Sequence, residues 1–145
     1  MELKTIAIQK AHPNAQIPTY KHYGDAGLDL SAVQNCVLSP GERKAISTGL
    51  IINIPFGYEG QIRPRSGLAL NHGVTVLNAP GTIDSNYRGE IKVILINHGV
   101  DYFRISPGDR IAQLVIAKVN RVLFVEEEIE NDTDRGDAGF GSTGV

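Results

Sequence analysis

Six turn signals cut this chain into apolar runs, and nothing else in it restricts the fold so strongly. They are Gly24-Asp-Ala-Gly27, Ser39-Pro-Gly-Glu42, Phe56-Gly57, Ala79-Pro-Gly81, Ser85-Asn-Tyr-Arg-Gly89 and Ser106-Pro-Gly-Asp109. Glycine and proline at these points close turns and interrupt any long helix. The runs between them are rich in Ile, Val, Leu and Thr, which suit a pleated sheet. Strands are expected within residues 3–10, 28–33, 58–65, 74–78, 90–97 and 111–125, and a pair of strands within 44–55. In the second of these, Leu28, Leu30 and Ala32 alternate with Asp29, Ser31 and Val33, which sets Asp29 on the face opposite the leucines. Residues 90–97 are nearly apolar on both faces and predict burial on both sides, in a sandwich or at a subunit contact. Only Ser66-Gly-Leu-Ala-Leu-Asn71 reads as helical, with Ser66 as its N-cap. Short strands separated by turns predict an all-β fold, an antiparallel jelly-roll sandwich or barrel with one short helix.

At 145 residues, with 41% hydrophobic and 21% charged side chains, the chain is sized for one globular domain. It has no apolar run near the ~20 residues that span a bilayer. Residues 1–5 lack the basic-then-apolar layout of a signal peptide, so a cytoplasmic address is expected. The single Cys36 has no intrachain partner and reads as a small buried hydrophobe. Charge is uneven. Residues 1–125 carry 13 Lys and Arg against 9 Asp and Glu, whereas residues 126–145 carry 1 against 7. That balance lacks the dense cationic stripe of a polymer-binding protein, so no nucleic acid polymer is expected as partner. The acidic stretch 126–134 reads as a solvated linker. It divides a β domain, 1–125, from a flexible glycine-rich C-terminal arm within 126–145.

Several familiar chemistries are excluded. No phosphate-binding P-loop and no Gly-x-Ser-x-Gly elbow occurs. The histidines at 12, 22, 72 and 98 lack metal-ligand spacing, and Cys36 has no adjacent histidine to activate it. A carboxylate that activates water is the more natural catalyst. Asp84, in Gly81-Thr-Ile-Asp-Ser-Asn-Tyr-Arg-Gly89, is either a turn former or a general base. Asp29 is either an exposed strand residue or an outer partner for hydrated Mg²⁺. Arg65-Ser66-Gly67 joins an arginine to a helix N-terminus, an arrangement that suits an anion. Gln113 places an amide in an apolar strand and therefore needs polar partners. The segment Arg135-Gly-Asp-Ala-Gly-Phe-Gly-Ser-Thr-Gly144 is either a disordered end or a loop whose backbone N–H groups approach phosphates while Phe140 covers a flat ring.

Five of these segments, in order, resemble the motifs of the trimeric deoxyuridine triphosphatases (dUTPases). They are Ala26-Gly-Leu-Asp-Leu-Ser-Ala32, Pro64-Arg-Ser-Gly-Leu-Ala69, Asn78-Ala-Pro-Gly-Thr-Ile-Asp-Ser-Asn-Tyr-Arg-Gly-Glu90, Pro107-Gly-Asp-Arg-Ile-Ala-Gln113 and the glycine-rich arm. The resemblance implies a jelly-roll homotrimer whose active sites are shared between subunits. The implied reaction is Mg²⁺-dependent hydrolysis of dUTP to dUMP and pyrophosphate, which lowers dUTP and supplies dUMP. Asp84 would deprotonate the water that attacks the α-phosphorus. Arg65, Ser66 and Gly67 would hold phosphate oxygens with help from Gln113, and Asp29 would place the hydrated metal. Asn78 and the backbone of Thr82, Ile83 and Lys92 would read the uracil edge. Tyr87 would pack under the deoxyribose and leave no room for a 2′-hydroxyl. Arg135, Gly141 and Ser142 would clamp the outer phosphates as Phe140 closes over the base.

The departures from the family pattern are small: Asn86 stands where many relatives carry an acid, and Leu28 where an aromatic is common. Arg110 is left open between a phosphate contact and a structural ion pair. Two other readings are a dCTP deaminase-like enzyme of similar fold and a non-catalytic nucleotide-binding β-sandwich. Deamination would need a protonatable group beside the pyrimidine C4 and no phosphate-capping arm, whereas the non-catalytic sandwich would make Asp84 expendable.

Overall fold

The structure, a computed structural model, describes residues 3–145, and among them eleven strands and one short helix form. A four-stranded antiparallel sheet runs β2 (Leu28–Ser31), β11 (Arg110–Lys118), β6 (Tyr58–Arg63) and β8 (Gly81–Ile83). A three-stranded antiparallel sheet runs β4 (Arg43–Ser47), β9 (Lys92–Asn97) and β7 (Val74–Val76). Two smaller pairs complete the jelly roll: β1 (Ile8–Lys10) with β5 (Leu50–Ile52), and β10 (Phe103–Ile105) with β3 (Cys36–Leu38). One core fills the space between the sheets. Leu30, Ile62, Ile83 and Leu114 enter it from the larger sheet, and Ile46, Val74, Val93 and Leu95 from the smaller.

The turns form by the chemistry their residues carry. In Ser39–Glu42 the Glu42 carboxylate accepts the Ser39 N–H at 2.9 Å, and in Ser106–Asp109 the Asp109 carboxylate accepts the Ser106 N–H at 2.8 Å. Each turn is closed by the reverse backbone bond, Glu42 N–H to Ser39 O and Asp109 N–H to Ser106 O. Lys44, 2.8 Å from Glu42, donates to it and with the Ser39 N–H holds the Glu42 carboxyl down at about 2.

Several expectations need correction. Strand β1 covers only Ile8–Lys10, and β11 stops at Lys118, leaving Val122, Leu123, Phe124 and Val125 exposed without a strand partner. Within one chain β9 is buried on one face, with Val93, Leu95 and Asn97 inward and Lys92 and Ile94 exposed, so of the two settings expected for residues 90–97 the sandwich covers one face and a subunit contact is left for the other. Its outer apolar side chains therefore have no cover within one chain. The helix α1, Ser66–His72, is capped at its start by Arg65 in an extended conformation without a side-chain capping bond, so Ser66 is its first residue and not its cap. Gly81 begins β8, and the turn before it contains a cis Ala79–Pro80 bond. Cys36 is half-buried and packs against the core edge.

A tight corner joins β4 to β5. Thr48 is fully buried and its hydroxyl donates to Ile91 O at 2.6 Å, while the Thr48 N–H donates to the same oxygen at 3.3 Å. Gly49 lies in the left-handed region at φ +69°, and a Cβ there would come within 2.7 Å of the His12 Cβ. Gly49→Ala combines left-handed strain with overpacking. It is expected to lower the unfolding free energy by about 2–4 kcal/mol, measured by urea titration.

Candidate active site

The residues with chemistry gather in two clefts. The first, of about 270 Å³, is lined by Asp29, Arg65, Ser66, Gly67 and Gln113 with Lys21 and Asp25. The elements place them directly. Gln113 on β11 lies in register between Asp29 on β2 and Arg63 on β6. A register shift between Arg110 and Ala112 inserts a bulge, so Ile111 and Ala112 are both buried. Bulges re-aim side chains. Here the bulge returns Arg110 and Gln113 to the outer face, three residues apart. The Gln113 amide finds its partner in Pro64 O at 3.4 Å.

Asp29 binds two arginines. Its Oδ1 lies 3.4 Å from Arg65 Nε and its Oδ2 lies 3.2 Å from Arg110, while Arg65 also donates to Arg110 O at 3.1 Å. Arg110 thus flanks Asp29 on one side as Arg65 does on the other. Lys21, Arg65 and the first amides of α1 face the cleft together with Asp25 and Asp29, and Arg110 beside Asp29 makes three cations against two carboxylates.

The second cleft, of about 300 Å³, is lined by Thr82, Ile83, Asp84, Tyr87 and Lys92, with Ala45 and Ile94 from the outer face of β4 and β9. Asn78 lies against Gly81 at the head of β8. The Asp84 carboxylate is exposed at the end of β8, and its backbone carbonyl accepts the Tyr87 N–H at 3.0 Å to close the next turn. Tyr87 sends its phenol O–H to Glu90 O at 2.8 Å. Asp84 also borders a third hollow of about 450 Å³ with Tyr58, Glu59 and Arg121, and there Glu59 is held by Gln61 at 2.6 Å.

One chain does not bring the two clefts together. Gly60 pairs with Ile83, so Asp84 sits beside Glu59 at the start of β6, whereas Arg65 lies just past its end. Six extended residues separate those levels, about 20 Å. Asp84 and Arg65 of one chain cannot touch the same phosphate group.

The arm is a third piece. Arg135 donates to Ala138 O at 3.0 Å, and Gly136 N–H donates to the Thr133 hydroxyl at 3.1 Å. A further turn runs from Ser142 N–H to Gly139 O at 3.1 Å, and Gly141 follows Phe140, whose ring is fully exposed. Sequence reasoning missed Lys21, Asp25 and the Glu59–Gln61 pair, which carry no motif of their own.

The assembled chemistry is an exposed carboxylate beside an aromatic ring, a pocket lined by Lys21, Arg65 and two aspartates, and a glycine-rich arm with an arginine. No three His, Cys, Asp or Glu side chains come together as a ligand cage among the described residues. Comparison with known proteins places the whole chain. A sequence model of the dUTPase family matches residues 13–144. The deoxyuridine 5′-triphosphate nucleotidohydrolase of Nautilia profundicola is 56% identical over 144 residues, 99% of each chain. That of Wolinella succinogenes is 55% identical over 145 residues, 99% of this chain and 97% of its own. Among solved structures, the Staphylococcus bacteriophage 80alpha dUTPase with dUPNHPP has a TM-score of 0.89 at 30% identity, covering 99% of this chain and 100% of that one. A mutant dUTPase from phage phi11 of S. aureus, solved for its coordination of a structural Mg(II) ion, has a TM-score of 0.81 at 27% identity, covering 88% of this chain and 99% of that one.

Proposed function

The chain belongs to the dUTPase family, and on that premise we propose how its residues divide the hydrolysis of dUTP to dUMP and pyrophosphate. Asp84 takes a proton from a water. The water oxygen then bonds to the α-phosphorus as the bond to the bridging oxygen breaks, and pyrophosphate leaves with that electron pair. Arg65, Ser66, Gly67 and Gln113 hold phosphate oxygens. Asn78 and the backbone of Thr82, Ile83 and Lys92 read the uracil edge, and Tyr87 fills the space a 2′-hydroxyl would need. Arg135, Gly141 and Ser142 bring donors to the outer phosphates, and Phe140 covers the base and excludes other water.

Magnesium fits this donor set. Mg²⁺ takes many of its ligands from substrate phosphates and water, so it needs no carboxylate cage. Asp29 keeps acceptor capacity after meeting its two arginines, because an ionised carboxylate offers about four lone-pair sites. Asp29 and Asp25 would hold the waters of such an ion, which supplies charge neutralisation to the triphosphate when bound. A cytoplasmic location accompanies this reading, since its substrate is a free nucleotide, with no membrane partner. No helix among the described residues is long and apolar enough to cross a membrane.

One observation carries the division of labour: the 20 Å gap between the Asp84 cleft and the Arg65 cleft within a chain, estimated from about six extended residues. It supports sites completed by another copy, in the homotrimer expected of the family. The uncovered Ile94 and the exposed segment 122–125 supply apolar surface for such an assembly. The protein with Mg²⁺ is expected to release pyrophosphate from dUTP at least about 100-fold faster than from UTP, dCTP or dTTP at equal concentration. Comparable rates on all four nucleotides would overturn the proposed pocket, and preferential deamination of dCTP would favour the rival reading.

A further inference from the structure

Tyr87 stands in an exposed loop with its side of the ring open to solvent, yet a residue that selects a sugar by crowding must not move. Its phenol is held by Glu90 O at 2.8 Å, and its ring crosses Gly89 so closely that a Cβ there would collide with the phenol. The position of Tyr87 is therefore only as fixed as the backbone at residues 89 and 90. Glu90 in turn is tied down by its own carboxylate. One oxygen accepts the Gly49 N–H at 3.1 Å, and the other accepts the Ser47 hydroxyl at 3.3 Å. The next residue, Ile91, is buried and donates to Leu50 O at 2.8 Å. All of these contacts end on the corner between β4 and β5, where Thr48 and Leu50 are fully buried.

We infer that Glu90 is a positioning residue for sugar selection, fastening the loop that carries Tyr87 to the buried Ser47–Leu50 corner. The inference rests on the reading above that Tyr87 packs under the deoxyribose. Glu90 borders the same cleft as Asp84 and Tyr87, and its carboxylate also lies 3.9 Å from Lys92 Nζ, but in that reading it contacts neither phosphate nor the attacking water. Its loss leaves the chemical step alone but frees Tyr87 to swing, which weakens the fit of dUTP and opens room for a ribose. The Gly49 N–H and Ser47 hydroxyl would then be left without their acceptor, and a buried donor without a partner drives local rearrangement. Glutamine keeps an oxygen for the Gly49 N–H and an NH₂ that can donate to the Ser47 Oγ, so it preserves the tie without the charge.

The test is steady-state pyrophosphate release from dUTP and from UTP with Mg²⁺, for the full chain and for Glu90→Ala, Glu90→Gln and Ser47→Ala. For Glu90→Ala, kcat on dUTP is expected to stay within about threefold while KM rises about tenfold. The dUTP-to-UTP ratio of kcat/KM is expected to fall at least about tenfold, and Glu90→Gln to restore it to within about threefold. A ratio unchanged in Glu90→Ala overturns the inference, as does a fall in kcat that leaves the ratio intact. Should Glu90→Ala not fold, Ser47→Ala decides: an expected loss of about threefold in the ratio supports the tie, and a ratio equal to that of the unmodified chain overturns it. Failure of the unmodified chain to prefer dUTP over UTP would instead overturn the reading of Tyr87 on which the inference rests.

Discussion

Asp84→Asn is expected to lower kcat for dUTP by about 10³, or roughly 4 kcal/mol of barrier, while affinity for dUpNHpp stays within about threefold. The substitution keeps the shape of the side chain and removes only its charge and its ability to take a proton. The turn behind it is made by the backbone, with the Asp84 carbonyl accepting the Tyr87 N–H, so the loop keeps its form. Analogue binding by calorimetry and pyrophosphate release in single turnover separate the two effects. Activity within tenfold of the unmodified chain would move the base elsewhere. Glu59 is the carboxylate to examine next, because it borders the same hollow as Asp84. Hydrolysis in ¹⁸O-enriched water gives an independent readout. The isotope should appear in dUMP, because attack is at the α-phosphorus.

Removing residues 135–145 is expected to cut kcat/KM by about 10²–10³ while leaving the urea midpoint within experimental error. No core residue lies beyond Leu114, and no strand lies beyond Lys118, so the deletion takes nothing from the interior. It does take Arg135, Phe140 and the donors of Gly141 and Ser142. The arm already turns on itself through Arg135 to Ala138 and through Ser142 to Gly139. Such local order reduces what must be fixed when it folds over a ligand. An unchanged rate after truncation would make the arm a solvated end with no catalytic part.

Much of this was legible in the chain because its chemistry is local. The two Ser-Pro-Gly-acid turns closed as their residues predict, each acid bonding the serine N–H three positions back. The jelly roll followed from short β-branched runs between such turns. The resemblance to dUTPases rested on contiguous strings, which need no knowledge of packing. What was not legible depends on distance along the chain. The bulge at Arg110/Ala112 breaks strict alternation, so no period-2 reading puts Arg110 and Gln113 on one face. Glu90 meets Ser47 and Gly49 across more than forty residues, and no local pattern announces that contact. Asn97 is fully buried and bonds Leu38 O and Asp101 O at 3.0 and 2.8 Å, a polar clamp inside a run that reads as apolar. The outer face of β9 is a different case. Ile94 has the side chain of a core residue but lacks a neighbour within one chain.

Strand β11 ends at Lys118, opposite Tyr58, which is the Asp84 end of the larger sheet. Val119 N–H still bonds Gly57 O at 2.9 Å, and the 15 residues 120–134 separate it from Arg135, the first residue of the arm proposed to bind phosphate. A flexible leash of that length would have a root-mean-square reach of about 21 Å. Capping is then an intramolecular encounter at a local concentration on the order of millimolar, whatever the abundance of the protein. Under the proposed function, weak individual contacts by Arg135 and Phe140 would suffice in those conditions, and the cap could release between catalytic cycles, so product escape need not wait on a tight clamp.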